Sequence, residues 1–402
     1  MISRLTTSRT CGAPANGRGP ARTGDAYAPV RAHALRLVRA AAAALMLSVP
    51  LAMPAASPAQ AQANRPDTAA RSVVTGAGST LVFPAMSRWA AGFQQKTHIP
   101  VSYQPNGVAS ARSQIDEGAI TFALTDAPFS AADLDSYGFV QWPLVFGAVV
   151  PVATVPGVSR LELDGDTLAN IFLGRITRWS DPAIAALNGG MKLPDIPIVV
   201  VSHEHEGGGS TIVFNRYLSV ASKAYADALR SARGKVPFRG EPVLSTGDLG
   251  VAVTVAATPG AIGYTDFADA TASRAPIVAL RTPTGTLTAS PESFTKSVAT
   301  LTAGLNGGLG FADLVIDPAK VDPSSIGGWP MMATTFVVMD AVPQNRDNAV
   351  AALQFFDWIY RSGGEIGGSL GYVPAPQNLV EAVETLWTSA IIIDDVPLWP
   401  PK

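Results

Sequence analysis

Twice along this chain a short β-branched, apolar run breaks into a cluster of glycine and hydroxyl residues, and a helical segment starts at once. Val73-Val74 leads into Gly76-Ala77-Gly78-Ser79-Thr80, and the run Ile196 to Val201 leads into Gly207-Gly208-Gly209-Ser210-Thr211. The second run is all but wholly apolar, as strands buried inside a parallel sheet are. Strands that alternate with helices in this way predict an α/β fold. Each junction also aims free backbone amides, and the positive end of a helix dipole, at one point. Two such junctions, one in each half of the chain, predict an anion cleft. The hydroxyls of Ser79, Thr80, Ser210 and Thr211 are candidate extra donors.

The same alternation runs through the rest. Val101 to Tyr103 and Ile120 to Leu124 read as strands, and Ala109 to Glu117 as the helix between them. Phe146 to Ala153 reads as a buried strand crossing between two lobes. Asp164 is placed to cap a helix running to Ile171. Thr335 to Met339 reads as a strand, followed by helices from Asn345 to Ser362 and near Leu379 to Thr388. With 402 residues, 47% of them hydrophobic, the chain can build two lobes around a substantial core.

Residues 1–63 read as a leader. Seven arginines stand there against one acid, Asp25; an apolar run from Ala40 to Met53 follows, then a Pro/Ala-rich stretch ending in Ala61-Gln62-Ala63. Basic, apolar, then small-x-small is the order of a secretory signal peptide, with cleavage expected after Ala63 and delivery to the periplasm or beyond. The basic part is long, which fits a start codon downstream of Met1. The remaining chain holds 22 basic and 30 acidic residues, about −8 in net charge, with no footprint for nucleic acid. The single cysteine, Cys11, lies in the leader, so no disulfide, thiolate metal site or thiol nucleophile is expected after cleavage.

Rival motifs fail on detail. Gly76-x-Gly78 lacks the third glycine of a dinucleotide fingerprint, and Gly207 to Thr211 has no lysine ahead of its hydroxyl residues, so it is not a P-loop. His203 and His205, with Glu204 and Glu206, have no third histidine nearby to complete a metal site. No metal, cofactor or catalytic group is expected, and the chain reads as a binding protein rather than an enzyme. A phosphatase or metal hydrolase built on His203 and His205 is the enzymatic rival.

From Ser72 onward the chain resembles the periplasmic phosphate-binding proteins of ABC transporters, the PstS-like family. The resemblance rests on Gly76 to Thr80 with Phe83-Pro84, Thr125-Asp126-Ala127-Pro128, Ile171-Phe172-Leu173-Gly174-Arg175-Ile176 with Trp179, and Thr258-Pro259-Gly260-Ala261-Ile262-Gly263-Tyr264. Trp329-Pro330 and Phe355-Phe356-Asp357-Trp358 extend it. It implies a type II two-lobed fold with a hinge, residues 72–147 plus 325–402 in one lobe and 148–324 in the other. It further implies a monomer that binds a phosphate ion and delivers it to permease subunits in the inner membrane. In that family the aspartate at the position of Asp126 accepts the ligand's proton, as an ionised carboxylate can only accept hydrogen bonds. Thr80, Leu81, Gly209 and Ser210 match its donors.

Several positions depart from the family pattern. A family serine falls on Val108, in Gly107-Val108-Ala109-Ser110, and another on Gly208; the phosphate-clamping arginine falls on Glu204 and its partner aspartate on Glu206. A unit charge about 4 Å from the ligand is worth roughly 4 kcal/mol at an effective dielectric near 20, and micromolar binding totals about 8 kcal/mol. An inward Glu204 is therefore incompatible with tight phosphate binding. The expectation is that Glu204 turns to solvent, that Arg112 or a histidine replaces the missing charge, or that the ligand differs. Val108, Ser110, Arg112 and Gly208 are accordingly further candidate ligand-binding residues. A secreted or envelope relative with altered ligand specificity, acting as scavenger, sensor or adhesive component, is the alternative function.

Overall fold

The protein is described by a computed structural model covering residues 72–400 except 190, 205–207, 234–239, 304, 306–309 and 316–327. The leader expected over residues 1–63 lies outside the described residues. The chain opens with β1 (Val74–Gly78), α1 (Phe83–Thr97), β2 (Val101–Gln104), α2 (Val108–Asp116), β3 (Phe122–Thr125) and α3 (Ala131–Tyr137), and reaches the long strand β4 (Phe139–Thr154). Then come β5 (Glu162–Asp164), α4 (Gly165–Phe172), α5 (Pro182–Leu187), β6 (Val199–His203), α6 (Gly209–Ala221), α7 (Lys223–Ser231), β7 (Val243–Ser245) and α8 (Gly247–Ala257). They are followed by β8 (Ala261–Asp266), α9 (Phe267–Ala272), β9 (Ala279–Thr282), β10 (Gly285–Leu287) and α10 (Pro291–Thr302). The last elements are β11 (Met332–Asp340), α11 (Arg346–Ser362), α12 (Gly364–Ser369), β12 (Val373–Pro374), α13 (Gln377–Ala390), β13 (Ile392–Ile393) and β14 (Val396–Pro397).

The main sheet runs in the order β2-β1-β3-β11-β4-β8-β6-β7, with β12 also on β4. β1 is parallel to β2 and β3, and β6 is parallel to β7 and β8, so each predicted junction does feed a parallel unit. β4 serves both halves. It pairs with β11 from Phe139 to Ala148, then with β8 from Val149 to Thr154. A second passage lies alongside: the Trp329 indole donates to the Val149 carbonyl at 2.8 Å, and the Val149 amide donates to the Met331 carbonyl at 2.8 Å.

Every residue of β4 but Thr154 is buried, as a strand covered on both faces must be. Its prolines lack an amide for the ladder. Pro143 is accommodated where the register slips, since Thr335 faces Val145 and Phe336 faces Pro143. β6 starts three residues later than the apolar run predicts, because Pro197 sits inside that run and makes only an isolated bridge to Arg178. One half of the core is built on Trp89, Trp142, Phe356 and Trp387, the other on Phe172, Phe214 and Tyr264, whose rings pack 4.1–5.9 Å apart. Burying each such ring contributes about 1.5–3 kcal/mol. Among the described residues no helix is long and apolar enough to cross a membrane.

Helix starts divide into two kinds. α3, α4, α9 and α11 carry side-chain caps from Ser130, Asp164, Asp266 and Asn345. α1, α2, α6 and α8 have no side-chain cap. In α1 the leading amides of Phe83 and Ala85 turn back on the Thr80 and Val82 carbonyls, whereas the starts of α6 and α8 leave theirs for other partners and build the site.

Candidate functional site

β1 ends at Gly78, whose φ of +135° favours glycine; a Cβ there would stand 2.1 Å from the Leu124 carbonyl oxygen. That close approach brings Ser79 beside the end of β3, where Asp126 follows Thr125. Asp126 is only 1% exposed. Its Oδ2 accepts from the Ser79 hydroxyl at 2.6 Å and its Oδ1 from the Thr335 hydroxyl, on β11, at 2.7 Å. Burial pushes its pKa up to about 6; the two hydroxyls pull the other way, and the charge of Asp248 adds to the rise.

Against this acid stands the start of α6. A Cβ on Gly209 would lie 2.1 Å from Asp126 Oδ2, so the helix backbone abuts the carboxylate. The first intrahelical bond is Ile212 N–H to the Gly208 carbonyl, which leaves the amides of Gly209, Ser210 and Thr211 as unsatisfied helix-start donors. The positive dipole end thus faces the buried acid, an arrangement worth about 0.3–1 kcal/mol for an anion and more when desolvated.

A second acid completes the site. Asp248, in the first turn of α8, is 3% exposed. Its Oδ2 accepts from the Thr80 hydroxyl at 3.2 Å; its Oδ1 meets His203 Nε2 and accepts from the Asp266 amide, both at 3.2 Å. Burial would raise its pKa, but the adjacent His203 and the hydroxyls of Ser210 and Thr80 outweigh that and hold it low. Asp266, just behind, is driven well up by burial and then by the charges of Asp248 and Asp269. Three buried polar atoms here lack a well-directed partner: Ser210 Oγ, which faces Asp248, His203 Nδ1 and Asp266 Oδ2. Two carboxylates, a cluster of amides and hydroxyls, and one imidazole can together bind an oxyanion that itself carries protons.

Of the residues expected to bind ligand, Thr80 and Ser210 reach Asp248, Gly209 abuts Asp126, and Leu81 follows Thr80 in the chain. The Leu81 side chain is buried and its carbonyl accepts from the Tyr372 hydroxyl at 2.6 Å. Gly208 is the N-cap of α6, and Val108 opens α2, whose N-cap amide, Gly107, donates to the Gly78 carbonyl at 2.9 Å. Ser110 is exposed and accepts from Gln114 on its own helix. Arg112 is no replacement clamp: its guanidinium pairs with Asp133 at 3.3 Å and lies over the Phe129 and Tyr137 rings at 4.9 and 5.0 Å. Glu204 is exposed and accepts from the Thr246 hydroxyl at 2.8 Å, so its charge is turned to solvent. His205, Glu206 and Gly207 lie outside the described residues. Thr335 and Asp248 are the site residues that sequence reasoning missed. Thr246-Gly247-Asp248 ahead of an apolar helix is the one signal for Asp248, and it reads as an ordinary helix start.

Two half-sheets sharing a strand, with a polar site where the turn after β1 meets the starts of α6 and α8, define a ligand-capturing protein of the two-lobed binding class. The PBP superfamily domain model matches residues 55–362. The phosphate-binding protein PstS of Xylella fastidiosa is 34% identical over 319 residues, covering 79% of this chain and 85% of that protein. PstS of Pasteurella multocida is 30% identical over 325 residues, 80% of this chain and 92% of its own. A crystal structure of a phosphate binding protein from Stenotrophomonas maltophilia, 20% identical, superposes with a TM-score of 0.57 over 78% of this chain and 94% of that one, a likeness of fold. The chain belongs to the PstS family of phosphate-binding proteins.

Proposed function

We propose that this chain captures inorganic phosphate between its lobes and delivers it to the permease of an ABC transporter, as an exported periplasmic protein and without catalysis. The observation that carries the reading is the opposition of one buried proton acceptor, Asp126, to the uncapped start of α6 at Gly209. A protonated oxyanion offers that pair both things it lacks, a proton for the carboxylate and bare oxygens for the amides. Thr80, Leu81 and Ser210 add donors from both sides. The outward Glu204 removes the strongest objection, and family membership supports the same ligand. Residues 72–147 with 325–402 form one lobe and 148–324 the other, with the hinge at the partner exchange of β4. Residues 1–63 act as a cleaved leader, and the protein works as a monomer. The altered-ligand scavenger is not favoured, because the departures that motivated it leave the Asp126 side of the site complete.

Isothermal titration of the processed protein, stripped of bound ligand, tests this. Phosphate at neutral pH is expected to give saturable heat and sulfate none. Absence of phosphate heat overturns the reading.

A further inference from the structure

The site is symmetrical in a way that a single-acceptor cleft is not. Ser79 and Thr80, consecutive on one side, donate hydroxyls to Asp126 and Asp248 respectively. Gly209 and Ser210, consecutive on the other, set a backbone against Asp126 and a hydroxyl toward Asp248. Both acids thus stand at the same small patch where the helix starts meet. The remaining titratable groups around them are His203 on β6, Asp266 at the end of β8, Asp269 on α9, Tyr103 on β2, and Tyr372 ahead of β12, with the Tyr264 ring tilted against His203. Among the described residues, His203 is the one group in hydrogen-bond contact with either acid that can carry positive charge.

We propose that this cleft selects dihydrogen phosphate, the singly charged form, with Asp126 and Asp248 each accepting one of its two protons. The proposal rests on the phosphate reading above and names the ionic form bound. Monohydrogen phosphate has one proton to donate and three bare oxygens; dihydrogen phosphate has two of each. Two acceptors beside the leading amides of α6 match the second inventory. A carboxylate offers about four lone-pair sites, so Asp126 can hold Ser79 and Thr335 and still take a ligand hydroxyl. A dianion facing two carboxylates also meets more repulsion than a monoanion does. Ser210 Oγ, buried beside Asp248 without a well-directed bond, is a polar atom this ligand would engage.

The test is the proton balance of binding. Calorimetry in buffers of different ionisation enthalpy, at about pH 8, should show about one proton taken up per phosphate bound, and apparent affinity should fall about tenfold per pH unit above neutrality. The uptake should persist in His203→Gln, because the proton resides on the ligand. It should vanish in Asp248→Asn, whose affinity should then stay level as pH rises. Phosphate binding with no proton uptake in the unaltered protein overturns the proposal and leaves the phosphate reading standing. So does uptake that disappears in His203→Gln, which would place the proton on the imidazole. Absence of phosphate binding at every pH removes the underlying reading instead.

Discussion

Asp126 combines two demands that ordinarily conflict, deep burial and ionisation. Its two hydroxyl donors and the abutting start of α6 stabilise the charge. Replacing it with asparagine keeps the shape but swaps one acceptor for a donor. Asp126→Asn is expected to lower phosphate affinity at least about tenfold and to admit sulfate, as read by competitive titration of the two anions. Gly209 has a different constraint, one of space. A methyl group would fall 2.1 Å from the carboxylate, so Gly209→Ala should force the helix start and Asp126 apart. A loss of phosphate affinity of about a hundredfold or more, with an unfolding midpoint that barely moves, is the expected result. Asp126 was legible because its neighbours Thr125, Ala127 and Pro128 form a local pattern. Asp248 was not, since its partners Thr80 and His203 lie 168 and 45 residues away and only folding brings them together.

Elements were legible where their pattern is local and obscured where tertiary packing overrides it. The helix expected after Asp164 appears as α4, with the Asp164 carboxylate accepting from the Thr167 amide at 2.8 Å. The helix expected from Asn345 appears as α11, with Asn345 as its cap. β4 was read at half its length because Gln141 and Pro143 interrupt its apolar run. The bulge at Pro143 and the acceptance by Gln141 of the Phe129 amide resolve what composition could not. α6 carries an open prediction. Gly208 has an extended backbone that any residue adopts, and a Cβ on it would meet nothing within 4 Å. Gly208→Asp should therefore cap α6 and add up to about 1 kcal/mol to stability. The same carboxylate would occupy the amides meant for the ligand, so phosphate binding should be lost. Chemical denaturation and titration on one sample check both halves of that trade.

Across the whole molecule, one apolar core runs through both halves, and buried acids stand beside it where the halves meet, so part of the stability is set by pH. Asp126, Asp266 and Asp269 all have their pKa values raised by burial, while Asp248 is held low. An acid whose pKa is raised on folding binds protons more readily folded than unfolded. Its contribution is complete below the unfolded value and is lost as pH rises toward the folded one. For Asp126, between 3.8 and about 6, the loss amounts to about 3 kcal/mol. Asp266 and Asp269 act in the same direction, and Asp248 opposes them only below its ordinary range. The ligand-free protein should accordingly be more stable to urea at about pH 5 than at about pH 7. Asp126→Asn should shrink that difference by removing one of the titrations within the window. Saturating phosphate at about a hundred times its dissociation constant should restore about 2.7 kcal/mol at neutral pH. A stability that rises from pH 5 to pH 7 in the unliganded protein would mean that these acids are not buried where the halves meet in solution.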